Sequence, residues 1–191
     1  MTSGTARGAS ECARRGNQGF TLVEIVTVVL ILGVAAWVAL PAAAPTAPFA
    51  LERATESFAR AIRFARDESL RTDAPFGVEV DTVQRRLRVF RGDAATNPPT
   101  PIFDVVDPLS GRLYDVALEA DASMRDIGIV ATPTWTASCT APLRLGFEGR
   151  GAPRCGDPWS VLLQTATIDL TLAGHTRRIA IDGVTGRVSL P

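Results

Sequence analysis

The stretch Phe20–Leu40 constrains this chain more than any other. Its 21 residues carry a single charged side chain, Glu24. Coiled as a helix, about 20 apolar residues match the roughly 30 Å hydrocarbon core of a bilayer. A membrane-spanning helix over 20–40 is therefore expected. Arg14 and Arg15 stand just before the run, and Arg favours the cytoplasmic side. That bias puts the N-terminus in the cytoplasm and everything after residue 41 outside it. Glu24 is the anomaly, since an intramembrane carboxylate costs about 2.5–3.5 kcal/mol and calls for a cation. No basic side chain lies in the span. Cleavage after Gly19 would expose an amine on Phe20, one helical turn from Glu24. Within one chain the two groups crowd along the axis, so the expected partner is the amine of a neighbouring, staggered subunit.

Gly19-Phe20-Thr21-Leu22-Val23-Glu24, with a basic leader before it and the apolar run after it, resembles the class III signal of type IV pilins and type II secretion pseudopilins. The resemblance implies cleavage at Gly19 and N-methylation of Phe20 by a prepilin peptidase/methyltransferase. It also implies assembly into a helical fibre through the apolar helix, with Glu24 as the assembly residue. The alternative is an ordinary signal peptide cut near Ala42-Ala43-Ala44, although such peptides have a shorter apolar region.

Charge and cysteines bound the rest. The chain has 20 basic and 20 acidic residues, and every basic one is Arg. Residues 1–19 hold Arg7, Arg14, Arg15 and Glu11, so a processed chain keeps 17 Arg against 19 carboxylates, a net of −2. That balance argues against broad electrostatic binding of nucleic acid, which shows as a basic domain. Cys12 falls in the leader. Cys139 and Cys155 remain as an even pair in an extracytoplasmic segment, where a disulfide is expected. The competing two-Cys metal site lacks further ligands, because His175 is the only His and no Cys-x-x-Cys occurs.

Residues 1–19 read as a cleaved leader, 41–49 as a Pro/Ala-rich kink, and 50–191 as one periplasmic globular domain. Pro41, Pro45 and Pro48 each remove a helix hydrogen bond, so a kink or melted segment is expected there. From 50 to 71 the period is helical. Leu51, Ala54, Thr55, Phe58, Ala61, Ile62, Ala65 and Ser69 share one face. Glu52, Arg53, Glu56, Arg60, Arg63 and Asp67 share the other, with Glu56–Arg60 and Arg63–Asp67 spaced for i, i+4 pairing. Phe64 falls on the polar side. After Pro75 the pattern turns to short strands, expected at 76–80 and 86–90 as a hairpin, then 102–106, 113–118, 127–131, 143–147, 166–172, 177–181 and 186–190. One long helix followed by many strands gives an α+β domain. The fold class expected is pilin-like, a long N-terminal helix packed on antiparallel β-sheets.

The helix Ala59–Arg71, the hairpin, Leu145-Gly-Phe-Glu-Gly149 and Thr185-Gly-Arg-Val188 together resemble the GspH/FimT group of minor pseudopilins and minor pilins. The region after the first strand lacks the Trp often found in that group. The resemblance implies a minor pseudopilin of a bacterial type II secretion system, seated in the inner membrane and assembled near the tip of the periplasmic pseudopilus. Its partners would be the peptidase, other major and minor pseudopilins, the inner-membrane assembly platform and secreted substrates. No enzyme and no cofactor are expected, since no catalytic or metal-loop spacing is present. The alternative is a FimT-like pilin that binds DNA for uptake through Arg177, Arg178 and Arg187. Such pilins carry a C-terminal Gly-Arg-x-Arg element, and here Gly186-Arg187-Val188-Ser189 has Ser where its second Arg belongs. Strand alternation also sends Arg177 and Arg178 to opposite faces.

Overall fold

The computed structural model describes residues 21–39, 47–141 and 143–191. The chain divides into two compact units, with the boundary between Ala43 and Ala44.

The first unit contributes helix α1, Leu22–Ala39. Thr21 starts it: the Glu24 N–H donates to Thr21 Oγ1 at 3.3 Å, and the Glu24 and Ile25 N–H groups donate to the Thr21 carbonyl at 3.0 and 3.2 Å. The Thr21 hydroxyl thus adds a side-chain cap to a first-turn donor that also meets the Thr21 carbonyl. Every described side chain from Leu22 to Gly33 is exposed. A helix that is apolar on all sides needs an apolar surrounding to be stable. The expected span 20–40 lies partly outside the described residues, and among those residues no helix is long and apolar enough to cross a membrane. The leader 1–19 and residues 41–46 of the expected kink also lie outside them.

The second unit is built on α2, Ala47–Thr72. Residues 47–49, read from sequence as part of the kink, are its first turn. Pro48 fits there because first-turn N–H groups have no intrahelical acceptor to lose. The expected apolar stripe is buried, and Ala50 and Ala59 join it. The two hydroxyls on the stripe are satisfied: Thr55 donates to the Leu51 carbonyl at 2.7 Å, and Ser69 to the Arg66 and Glu148 carbonyls at 2.8 and 3.2 Å. Asp73, at φ 52°, ends the helix in the left-handed conformation. Neither expected i, i+4 pair forms among the described ion pairs. Arg66 turns to Asp67 at 3.2 Å, and Arg71 to Glu68. Phe64 is not an outlying aromatic. It packs against the core with its ring 5.0 Å from that of Tyr114, because the 105–114 segment folds over that flank of the helix.

Two antiparallel sheets complete the unit. The first orders β3 (Thr100–Ile102), β2 (Arg86–Asp93), β1 (Phe76–Asp81), β6 (Arg144–Phe147) and β7 (Pro153–Cys155), with β4 (Asp115–Ala117) also on β2. The second orders β10 (Val188–Ser189), β9 (His175–Asp182), β8 (Leu163–Leu172) and β5 (Gly128–Trp135). The β1–β2 hairpin closes where Asp81 Oδ1 accepts from the Val83 and Gln84 N–H groups at 3.0 and 2.8 Å, with Arg85 at φ 47°. Several strand expectations change: those at 113–118 and 186–190 shorten to β4 and β10, and those at 127–131 and 166–172 lengthen to β5 and β8. The strand expected at 102–106 shortens to β3 plus a single Val106–Leu113 bridge, β7 appears where a loop was read, and His175 opens β9 rather than lying in the turn. One contiguous core links α2 to both sheets through residues 51–188, with Phe58, Ile62, Val78, Leu87, Phe147, Leu170 and Ile179 buried. That core lies wholly within the second unit, which therefore has the contents of an independently folding domain.

Candidate functional site

The N-terminal segment is the first candidate. Thr21 caps α1, and Glu24 is an acid in its first turn. Negative charge near a helix N-terminus is favoured by the backbone dipole, so the sequence places the carboxylate where the helix tolerates it best. Glu24 makes no ion pair among the described residues. The processing residues Gly19 and Phe20 lie outside them.

The cysteine pair is joined: Cys139 and Cys155 form a disulfide across 16 residues, with Cα atoms 5.9 Å apart. Cys155 is buried in β7, opposite Leu145 of β6, and its N–H donates to the Val161 carbonyl at 2.9 Å. Thr140, next to Cys139, donates through both its N–H and its hydroxyl to the Asp157 carbonyl at 2.8 Å. The Gly156 N–H donates to the Arg144 carbonyl at 2.9 Å. The bridge thus fastens the β5–β6 connection onto the short β7, which has few ladder bonds of its own.

The arginines assigned to DNA contact separate. Arg178 Nε and Nη2 hold both carboxylate oxygens of Asp169 at 2.7 and 2.8 Å, and this bond keeps the Asp169 carboxyl below the usual carboxylate range. Arg177 is exposed and pairs across the ladder with Leu170, which puts it on the opposite face from Arg178. Arg187 is exposed in the turn beyond the other end of β9, where the Asp182 N–H donates to its carbonyl at 3.0 Å. The three side chains do not converge on one surface.

A charged cluster escaped sequence reading. On the face of the first sheet away from α2, Glu79 of β1 lies between Arg88 of β2 and Arg144 of β6, with contacts of 2.5 Å to Arg88 and 2.6 and 3.0 Å to Arg144. The Arg88 guanidinium also stacks 4.0 Å from the Phe103 ring centroid. Burial pushes the Glu79 carboxyl up, but the hydrogen bonds and charges of Arg144 and Arg88 outweigh this and hold it below its ordinary range. On the same sheet Trp159 covers Gly146 and donates from Nε1 to Glu148 at 2.7 Å, while Arg154 pairs with Glu148 at 2.7 Å. The signal for the Glu79 cluster was the alternation Arg86, Arg88 against Glu79 in the hairpin. Register had to be known before Arg144 could be added. Among the described residues no group of three His, Cys, Asp or Glu is placed to hold a metal ion.

Residues 14–40 match the family model for the prokaryotic N-terminal methylation motif. No curated protein matches the chain significantly. Among solved structures, the minor pseudopilin EpsH from the type II secretion system of Vibrio cholerae aligns with a TM-score of 0.51 and 14% identity, covering 74% of this chain and 92% of that one. A second EpsH structure aligns at 0.49 and 14%, covering 74% and 95%. The type IV minor pilin FimU of Pseudomonas aeruginosa aligns at 0.44 and 14%, covering 74% and 87%. The likeness at 0.51 shows the fold: a helix packed on antiparallel sheets, α+β, in the arrangement of a minor pseudopilin. The chain joins that fold to an N-terminal methylation motif.

Proposed function

We propose that this chain is a structural fibre subunit, a minor pseudopilin of a bacterial type II secretion system. Prepilin peptidase would cut after Gly19 and methylate Phe20. The precursor would sit in the inner membrane through Phe20–Leu40, with its N-terminus in the cytoplasm and the domain of residues 50–191 in the periplasm. The processed subunit would then join other major and minor pseudopilins near the pseudopilus tip, through the assembly platform, and meet secreted substrates there. The observation that carries this reading is the methylation motif leading into a Thr21-capped helix whose only charged side chain among the described residues is Glu24. Such a helix gains by packing among copies of itself, and a lone carboxylate in it gains by meeting a neighbour's Phe20 amine.

The test is Glu24→Ala in the native host. Processing should proceed, read as the mass of the mature N-terminus, while incorporation into the fibre falls. Normal incorporation would remove the assembly role, and a mature product that still carries residues 1–19 would remove the peptidase role. A DNA-uptake pilin is the competing reading. The pairing of Arg178 with Asp169 and the distance of Arg177 from Arg187 along β9 count against it.

A further inference from the structure

Among the described residues five strands lie on sheet edges, and four of them are short: β3, β4 and β7 have three residues each and β10 has two. The exception is β5, eight residues, Gly128–Trp135, without one charged side chain, at the end of the second sheet. Exposed edges of that length are ordinarily blunted by charge or brevity, because their free N–H and C=O groups template pairing with another strand. Here only Pro133 interrupts the edge, and it reveals which groups are free. Pro133 pairs with Ala166 in a register that runs unbroken from Gly128 to Thr134. A Pro within a ladder turns its N away from the partner strand. In an antiparallel pair the N–H and C=O of one residue point the same way and alternate along the strand. Ile129 and Ala131 therefore aim their N–H and C=O groups at the free edge with Pro133, and neither forms a backbone bond outside the β8 ladder among the described residues.

We propose that β5 pairs antiparallel with β5 of a second copy of this chain, about a two-fold axis at Val130, joining two four-stranded sheets into one. This register sets Ile129 against Ala131 of the other copy, so that both free N–H and C=O pairs are met on each side. It sets Val130 against Val130. That side chain is 57% exposed on the solvent face, in the non-hydrogen-bonded position where facing side chains come closest. Pro133 falls opposite Ile127, beyond the ladder, where its missing N–H costs nothing. No like charges face each other, since Asp126 meets Thr134 and Arg125 meets Trp135. The same surface serves both copies, as a closed two-fold interface requires. The proposal does not depend on the fibre role.

The experiment uses the full chain in detergent with Cys12→Ser, which leaves the Cys139–Cys155 bridge as its only cysteines. In this register Val130→Cys brings two thiols together at a Cα separation of about 4.5 Å, within disulfide reach. Thr134→Cys puts its two copies roughly 27 Å apart along the strands. Mild oxidation should give a dimer for Val130→Cys and none for Thr134→Cys. Dimer from both or from neither overturns the register and the proposal with it. Adding Ala131→Pro to Val130→Cys removes an edge-facing N–H, so the dimer should vanish while the domain stays folded, as read by near-UV circular dichroism. A dimer that survives in the folded double variant overturns the proposal.

Discussion

Replacing Glu79 with Gln keeps the side-chain shape and removes its charge. In the native domain that carboxylate is 18% exposed and lies between guanidiniums that are 28% and 29% exposed. Hydrogen bonds to a charged group contribute about 1.5–3 kcal/mol each, and breaking a fully buried ion pair costs about 3–5 kcal/mol. Gln retains one acceptor oxygen, and the arginines keep partial access to water. The loss expected is therefore about 2 kcal/mol at pH 7, between the surface and buried limits. The pH dependence gives a second handle. The folded carboxyl titrates below its unfolded counterpart, whose ordinary pKa is about 4.3. Its stabilisation is thus complete above that unfolded value and fades as pH falls through the folded one. Urea unfolding of the wild-type and Glu79→Gln domains at pH 7, and in steps down to acid, measures both quantities. The difference should shrink as the wild-type carboxyl protonates. A difference below about 0.5 kcal/mol at pH 7, the range of ordinary surface changes, or one that does not shrink in acid, would refute the assignment of Glu79 as a charged tie between β1, β2 and β6.

Two further outcomes follow from the packing. Replacing both Cys139 and Cys155 with Ser should lower unfolding free energy by about 3 kcal/mol, the chain-entropy value for a loop of this length; denaturant melts with and without reductant check it, and a wild-type domain indifferent to reductant would contradict it. Gly146→Val should cost about 1–3 kcal/mol as overpacking, because a Cβ there would lie 2.0 Å from the Trp159 ring; unfolding followed by Trp fluorescence reads it, and an unchanged midpoint would mean that the ring moves freely.

Much of the domain was legible in the chain because its periods are clean. The stripe from Leu51 to Ser69 repeats at helical spacing, and Val78, Val80, Leu87 and Val89 alternate at strand spacing, so both elements declared their buried faces. Phe64 misled because periodicity describes one helix against one core, whereas the 105–114 segment supplies a second surface through Tyr114. The strand expected at 102–106 failed because alternation registers apolar side chains and not available edges; β2 offers one edge, and β3 and β4 share it from opposite ends. At the candidate site, Glu24 could be singled out by its isolation among apolar residues. The Glu79 cluster could not, since Arg144 lies 65 residues away from Glu79 and only sheet order unites them.

The packing of α2 has a consequence for how the domain is made. Its contacts with β8, β9 and β10 tie residues near the start of the domain to Ile179, Ile181 and Val188, so the core cannot close until β10 has been synthesised. Contacts so distant in sequence also slow folding. During translation the growing chain therefore stays open behind its apolar helix. On the proposed route, that delay leaves the domain threadable across the bilayer until β10 emerges.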